Sequence, residues 1–223
     1  MHSKVFRREN STYVLQIFKE DAPELTVEKL NAEYVYLCRA YSAMPTLIPR
    51  QCLRRPYVGA SLQESVLVKD YVPHRTELAL TTVDPAELDA TTRQQIAQFL
   101  SITRNLLADT SADQPSMVPD FIDPDCANLV IDIRTGDLKL IDTNRLISTR
   151  KPARLYAEGQ VLDVTEDRNF IHGLLFRRML FLEMKFLDRS RDDLMRDPAY
   201  ARYLSRAGFE TLFAASEAAG ESL

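Results

Sequence analysis

Asn128 and Asp142 are the side chains in this 223-residue chain whose types and spacing point most directly to chemistry. Two short apolar runs, at 129–133 and 138–141, flank the segment Arg134-Thr135-Gly136-Asp137. Each run reads as a short strand, and Gly136 supplies the positive φ that a tight hairpin turn needs. Asn128 then stands just before the first strand and Asp142 just after the second. A hairpin brings those ends together, which sets a carboxamide beside a carboxylate, with Asp123 in the loop leading in. Hard oxygen donors of this kind suit Mg²⁺, which commonly takes one or two protein carboxylates and completes its shell from substrate phosphates.

The elements needed to position these groups can be read along the chain. Residues 4–9 and 12–19 read as two strands around the polar pair Asn10-Ser11. A helix follows from Thr26 to about Ser42, with Val27, Leu30, Tyr34, Leu37, Cys38 and Tyr41 on one stripe. Glu33 lies at the edge of that stripe, and Glu28 lies well away from it. Short strands are expected at 47–53 and 57–59, and a longer one at 65–73 running into a linker. Asp84, Pro85 and Glu87 have the pattern of a capped helix start, with Ile96, Phe99, Leu100, Thr103, Leu106 and Leu107 continuing one face to about Asp109. Residues 110–119, rich in Ser, Asp and Pro, read as loop, and 145–160 as an extended segment. The run 170–187 is apolar nearly all round, the pattern of a buried central helix, and one or two closing helices follow. His172 within that run reads as a packed histidine.

This order resembles the protein-kinase-like superfamily. Asp123 and Asn128 have the spacing of its catalytic loop, and Asp142 falls where its metal-binding Asp stands. The group most similar in type is the minimal, atypical bacterial kinases: secreted effector kinases and related phosphotransferases acting on antibiotics or sugars. The resemblance implies that Lys19 contacts the ATP phosphates, paired to Glu33 with Glu28 as second choice. Asn128 and Asp142 hold Mg²⁺, and Asp123 orients the acceptor hydroxyl and takes its proton, with Asp125 a competitor for that role. Asp70, Tyr71 and Val72 form the hinge that binds adenine, and Ile17, Val130 and Ile141 line the adenine pocket. This register places the charged Lys69 on the border of that pocket. The chain departs from the family in three places. It has no glycine before Gly59, so no Gly-rich loop covers the phosphates. Phe121-Ile122 precede Asp123 in place of His-Arg, and Thr143-Asn144 follow Asp142 in place of Phe-Gly.

Composition sets outer bounds. The chain is 45% hydrophobic and 27% charged with a net charge of −4, an ordinary soluble balance that implies no general affinity for nucleic acid. Three irregularly spaced cysteines, Cys38, Cys52 and Cys126, suggest neither a disulfide framework nor a zinc site. No signal peptide opens the chain, and the charges within 170–187 argue against a membrane span.

The expectation is therefore an α+β, protein-kinase-like two-lobe fold. Residues 1–72 would form a reduced amino lobe, a small antiparallel sheet plus one helix, and residues 73–223 a mainly helical carboxyl lobe. The implied activity is ATP- and Mg²⁺-dependent phosphoryl transfer to a hydroxyl, on a protein substrate in the first instance. The alternatives are a kinase-shaped pseudokinase or binding module and a small-molecule phosphotransferase. A protein substrate or activating protein is the expected partner. The location would be cytoplasmic, or a host cytoplasm for a secreted effector.

Overall fold

A computed structural model describes residues 3–19, 25–109, 116–122 and 126–221. The fold is mixed α+β with a small antiparallel sheet. Strands β1 (Ser3–Phe6), β2 (Tyr13–Phe18), β3 (Gln51–Arg54) and β4 (Val66–Asp70) pair in the order β1-β2-β4-β3. Between β2 and β3 the chain makes helix α1 (Val27–Ala40), opened by Thr26, whose hydroxyl accepts from the Lys29 amide at 3.1 Å. The turn between β1 and β2 uses Asn10 at φ 59°, a residue that tolerates the left-handed region.

Strand periodicity decides what faces inward. Successive side chains alternate between faces, so Val14, Gln16 and Phe18 share one face of β2, and Tyr13 and Ile17 share the other. Gln16 and Phe18 are buried, whereas Tyr13 and Ile17 are exposed. The antiparallel register sets Val14 opposite Lys69 and Lys69 opposite Gln51, one row across the inner face. The apolar cluster beneath this sheet is small: Phe18, Val27, Leu30, Leu62 and Leu67.

The main core lies under the rest of the chain. Helix α2 (Ala90–Ala108) starts later than the sequence pattern suggests. Asp89 caps it, accepting from the Thr92 amide at 2.8 Å. Asp84 and Pro85 instead open a separate 3₁₀ turn at Pro85–Glu87, because Asp84 is satisfied there by the Ala86 amide at 2.8 Å. Strands β5 (Met117–Pro119), β6 (Leu129–Ile131), β7 (Leu138–Leu140) and β8 (Leu146–Ser148) form two ribbons, β5 with β8 and β6 with β7. Residues 145–160, expected to be extended, hold β8 and helix α3 (Arg150–Ala157). No strand forms at 57–59. Helix α4 (Phe170–Leu187) is the buried helix that its composition predicts, ended by Asp188 in the left-handed conformation. Three further helices close the chain: α5 (Arg191–Arg196), α6 (Pro198–Ala201) and α7 (Arg206–Ala218).

Helix α1 joins the two regions. Its first turn packs Val27 and Leu30 into the small cluster, while Leu37, and Tyr41 just past its end, enter the main core. Tyr41 stacks on Phe99 with ring centroids 5.4 Å apart and donates to the Thr103 hydroxyl at 2.8 Å, whose own proton goes to the Phe99 carbonyl. Cys38, on the expected apolar stripe, is exposed. No helix among the described residues is long and apolar enough to cross a membrane.

Candidate functional site

The hairpin forms as the sequence predicts. Leu129 pairs with Leu140 and Ile131 with Leu138, and Gly136 turns at φ 74°. Its open end is closed by the Ile141 amide donating to the Asn128 carbonyl at 2.8 Å, which sets Asn128 and Asp142 at one mouth. Asn128 donates its Nδ2 to the Asp120 carbonyl at 2.9 Å, so the donor end of the carboxamide is fixed. Asp142 accepts the Asn144 amide at 3.0 Å, an Asx turn that fixes the carboxylate.

A cavity of about 370 Å³ opens between this mouth and the inner face of the sheet. Val14, Gln16, Lys69, the segment Asp70-Tyr71-Val72, Asn128, Ile141 and Asp142 line it. The sheet is fastened to the loop after β7 by polar contacts. Lys69 Nζ donates to the Ile141 carbonyl at 3.2 Å, Thr143 donates to Gln51 Oε1 at 2.6 Å, and Asn144 donates to Gln16 Oε1 at 3.2 Å.

Lys69 dominates the electrostatics. It is only 7% exposed. Burial pulls its ammonium pKa down to about 8, and the negative charge of Asp142 opposes that fall. Glu33 reaches toward the same carboxylate from α1. Its pKa is raised first by burial, and Asp142 raises it further against the pull of Lys29. Its Oε2 is buried with no hydrogen-bond partner among the described residues. Asp142 therefore lies within electrostatic reach of a buried lysine and a half-buried carboxylate.

The structure gathers part of the expected set. Asn128, Asp142, Ile141, Asp70, Tyr71 and Val72 line one cavity. Lys19 and Ile17 do not join them. Both follow the outward parity of β2, and both are exposed. The β2 side chains that enter the cavity are Val14 and Gln16, and Lys69 enters it from β4. Glu33 makes no ion pair with Lys19, and Glu28 is exposed. Val130 is buried in β6 but is not among the residues lining the cavity. Asp123 and Asp125 lie outside the described residues. Sequence reasoning noticed Lys69 only as a misfit, and it missed Gln16. The available signal for both was the alternation of β2 and β4, which places 14, 16 and 69 on one face.

The donor set fits a divalent cation held together with a ligand. Among the described residues, no group of three or more His, Cys, Asp or Glu side chains forms a metal cage. One carboxylate and one carboxamide, both fixed by backbone hydrogen bonds, are a partial shell that phosphate oxygens would complete. No family model matches the chain, and no curated protein matches it at significant similarity.

Proposed function

We propose that this chain is a phosphotransferase of protein-kinase-like, two-lobed build, using ATP and Mg²⁺ to phosphorylate a hydroxyl. The observation that carries this reading is Lys69. A lysine buried at a cavity wall, beside a fixed carboxylate and carboxamide, is poorly compensated by its one hydrogen bond to the Ile141 carbonyl. Its burial is a cost, and a phosphate chain is the ligand that offsets it. The element order supports the same reading: a small sheet with one helix, a connecting segment at 70–72, then a hairpin carrying Asn128 and Asp142.

In this proposal Lys69, not Lys19, contacts the nucleotide phosphates. The backbone of Asp70, Tyr71 and Val72 faces adenine, with Val14 and Ile141 against its rings. Asn128 and Asp142 hold the cation, and Glu33 deepens the negative potential at Asp142. Mg²⁺ supplies neutralisation of the charge that develops on the phosphates. By the resemblance, Asp123 would take the proton of the acceptor hydroxyl. Catalysis of this kind is positioning and charge stabilisation, which fits a site held by backbone hydrogen bonds.

A nucleotide-binding module that transfers nothing is the second reading. Gln16 favours it, because the β2 side chain entering the cavity is a neutral amide and Lys69 is the one lysine on the described lining. Two measurements decide. Calorimetric titration with ATP and Mg²⁺ should show binding that Lys69→Met and Asp142→Asn each reduce at least tenfold. γ-Labelled ATP should transfer label in the wild type and not in Asp123→Asn, which should still bind nucleotide. No binding by the wild type, or binding indifferent to Lys69 and Asp142, would sink the proposal. Binding without transfer would favour the module.

A further inference from the structure

A second cavity, of about 570 Å³, is lined by residues of β8, α3 and the start of α4. Its lining includes Arg145, Arg150, Lys151, Arg154 and His172, with no carboxylate among the lining residues. In a chain of net charge −4, four cations around one hollow are a local reversal of sign. The local structure heightens it. Helix α3 begins with Arg150 and Lys151 and has no acid in its first turn. Cations at a helix N-terminus oppose the helix dipole, whereas anions there are favoured. Thr149 offers no cap, because its hydroxyl donates to the Ser116 carbonyl at 2.9 Å. Arg150 has no carboxylate partner within ion-pair distance among the described residues, and Arg154 has only the loose, exposed pair to Glu158 at 3.6 Å.

His172 is the independent sign. It is 7% exposed and forms part of the wall. Its Nε2 hydrogen-bonds the Ser148 carbonyl at 3.0 Å, while Nδ1 has no partner among the described residues. Burial holds its pKa below the usual histidine value, with the hydrogen bond to Ser148 opposing that fall and Lys151 adding to it.

A short chain of contacts links the basin to the nucleotide cavity. Arg145 Nε pairs with Asp120 Oδ2 at 2.9 Å, and the Asp120 amide donates to the Arg145 carbonyl at 3.1 Å. The Asp120 carbonyl in turn accepts from Asn128. We propose that this basin binds a phosphomonoester already present on the acceptor, so that the substrate is a phosphorylated molecule with a free hydroxyl. Arginine matches phosphate oxygens with paired N–H donors, and the volume falls within the ordinary range for small-ligand pockets. The acceptor role rests on the phosphotransferase reading above, but the anion site does not.

Two histidines allow the two ideas to be tested apart, since His74 lines the nucleotide cavity and His172 the basin. Histidine ring NMR signals of the full chain would be titrated with phosphoserine, with serine, with sodium sulfate at matched ionic strength, and with ATP plus Mg²⁺. Phosphoserine should shift His172 saturably, and serine should not. Arg150→Gln/Arg154→Gln, both exposed positions, should weaken that response at least tenfold and leave the His74 response to ATP unchanged. With both ligands present the two responses should add. A phosphoserine-bearing peptide and glucose 6-phosphate, run in parallel, distinguish a peptide carrier from a sugar by which binds more tightly. Phosphoserine shifting His74 instead, competition between it and ATP, an equal response to sulfate, or a His172 response that survives in the double variant would each overturn the proposal. A His172 response with His74 indifferent to ATP would remove the acceptor role by removing the reading beneath it.

Discussion

Two acidic side chains show how differently the two regions of this molecule treat charge. Glu183 lies at 0% exposure in the helical region, and it is saturated with partners. Arg104 donates to it at 3.1 Å, Arg189 at 2.5 Å, and the Tyr200 hydroxyl at 2.5 Å. Arg189 also pairs with Asp197 at 2.8 Å, which ties α4 to the α5–α6 corner. Near the C-terminus, Glu221 likewise receives Arg177, Arg178 and Ser216. Glu33 on α1 keeps a buried oxygen with no partner among the described residues, and Lys69 donates to the Ile141 carbonyl. The buried carboxylates Glu183 and Glu221 of the helical region are held by several donors each, whereas the cleft has a buried carboxylate oxygen without a partner among the described residues, and charge of that kind clusters at functional sites.

The largest effect that tests this contrast is at Glu183. Removing one member of a buried charge network leaves the others uncompensated, at about 3–5 kcal/mol. Glu183→Gln should lower the urea midpoint accordingly and leave nucleotide affinity per folded molecule unchanged. A loss under about 1 kcal/mol would mean that the network does not lock the helices.

The cleft should respond with the opposite sign. Lys69 is charged in the unfolded chain up to about pH 10.5, but its folded pKa lies at about 8. Below pH 8 the folded state bears the full desolvation penalty, of roughly 3 kcal/mol. Between those values the unfolded state binds more protons, so stability rises with pH. Lys69→Met should therefore be more stable than the wild type at pH 7, by several degrees in Tm. The gap should close as pH approaches 10. A destabilised Lys69→Met at pH 7 would place Lys69 with Glu183, as a structural charge.

The same contrast explains what could be read from the sequence. Helix α4 was legible because a long run that is apolar nearly all round reads as a buried helix, and the 129–140 hairpin because Gly136 sits between two short apolar strands. Asn128 and Asp142 followed from the hairpin alone. Lys19 and Ile17 lie off this cavity because they share the outward parity of β2, whereas Val14 and Gln16 face in. With Gln16 on the inner face, the same strand carries an amide where a lysine was sought. The basin was not legible at all. Its cations come from 145–154, read as extended, and their convergence depends on α3 turning Arg150 and Arg154 onto one face.

The smallest effect is the most discriminating. Glu33 has a raised pKa, so between its usual value near 4.5 and the folded value the native state binds more protons than the unfolded. Stability therefore falls as pH rises through that window, and the penalty is fully present above it. Glu33→Gln should stabilise the free protein at pH 7 by under about 1 kcal/mol, since the group is half exposed and solvent screens it. That gain should vanish below pH 4.5, where both states carry a protonated acid. Nucleotide binding with Mg²⁺ should weaken in the same variant, because a carboxylate that opposes Asp142 in the empty cleft favours a cation placed beside it. Thermal melts at pH 4 and 7, with and without ATP and Mg²⁺, separate the possibilities. A variant destabilised at pH 7 would mean that Glu33 is held by a partner as Glu183 is, and the difference between the two regions would be one of degree. A variant more stable when empty and weaker in binding would mean that the cleft keeps its charges unpaired in order to bind.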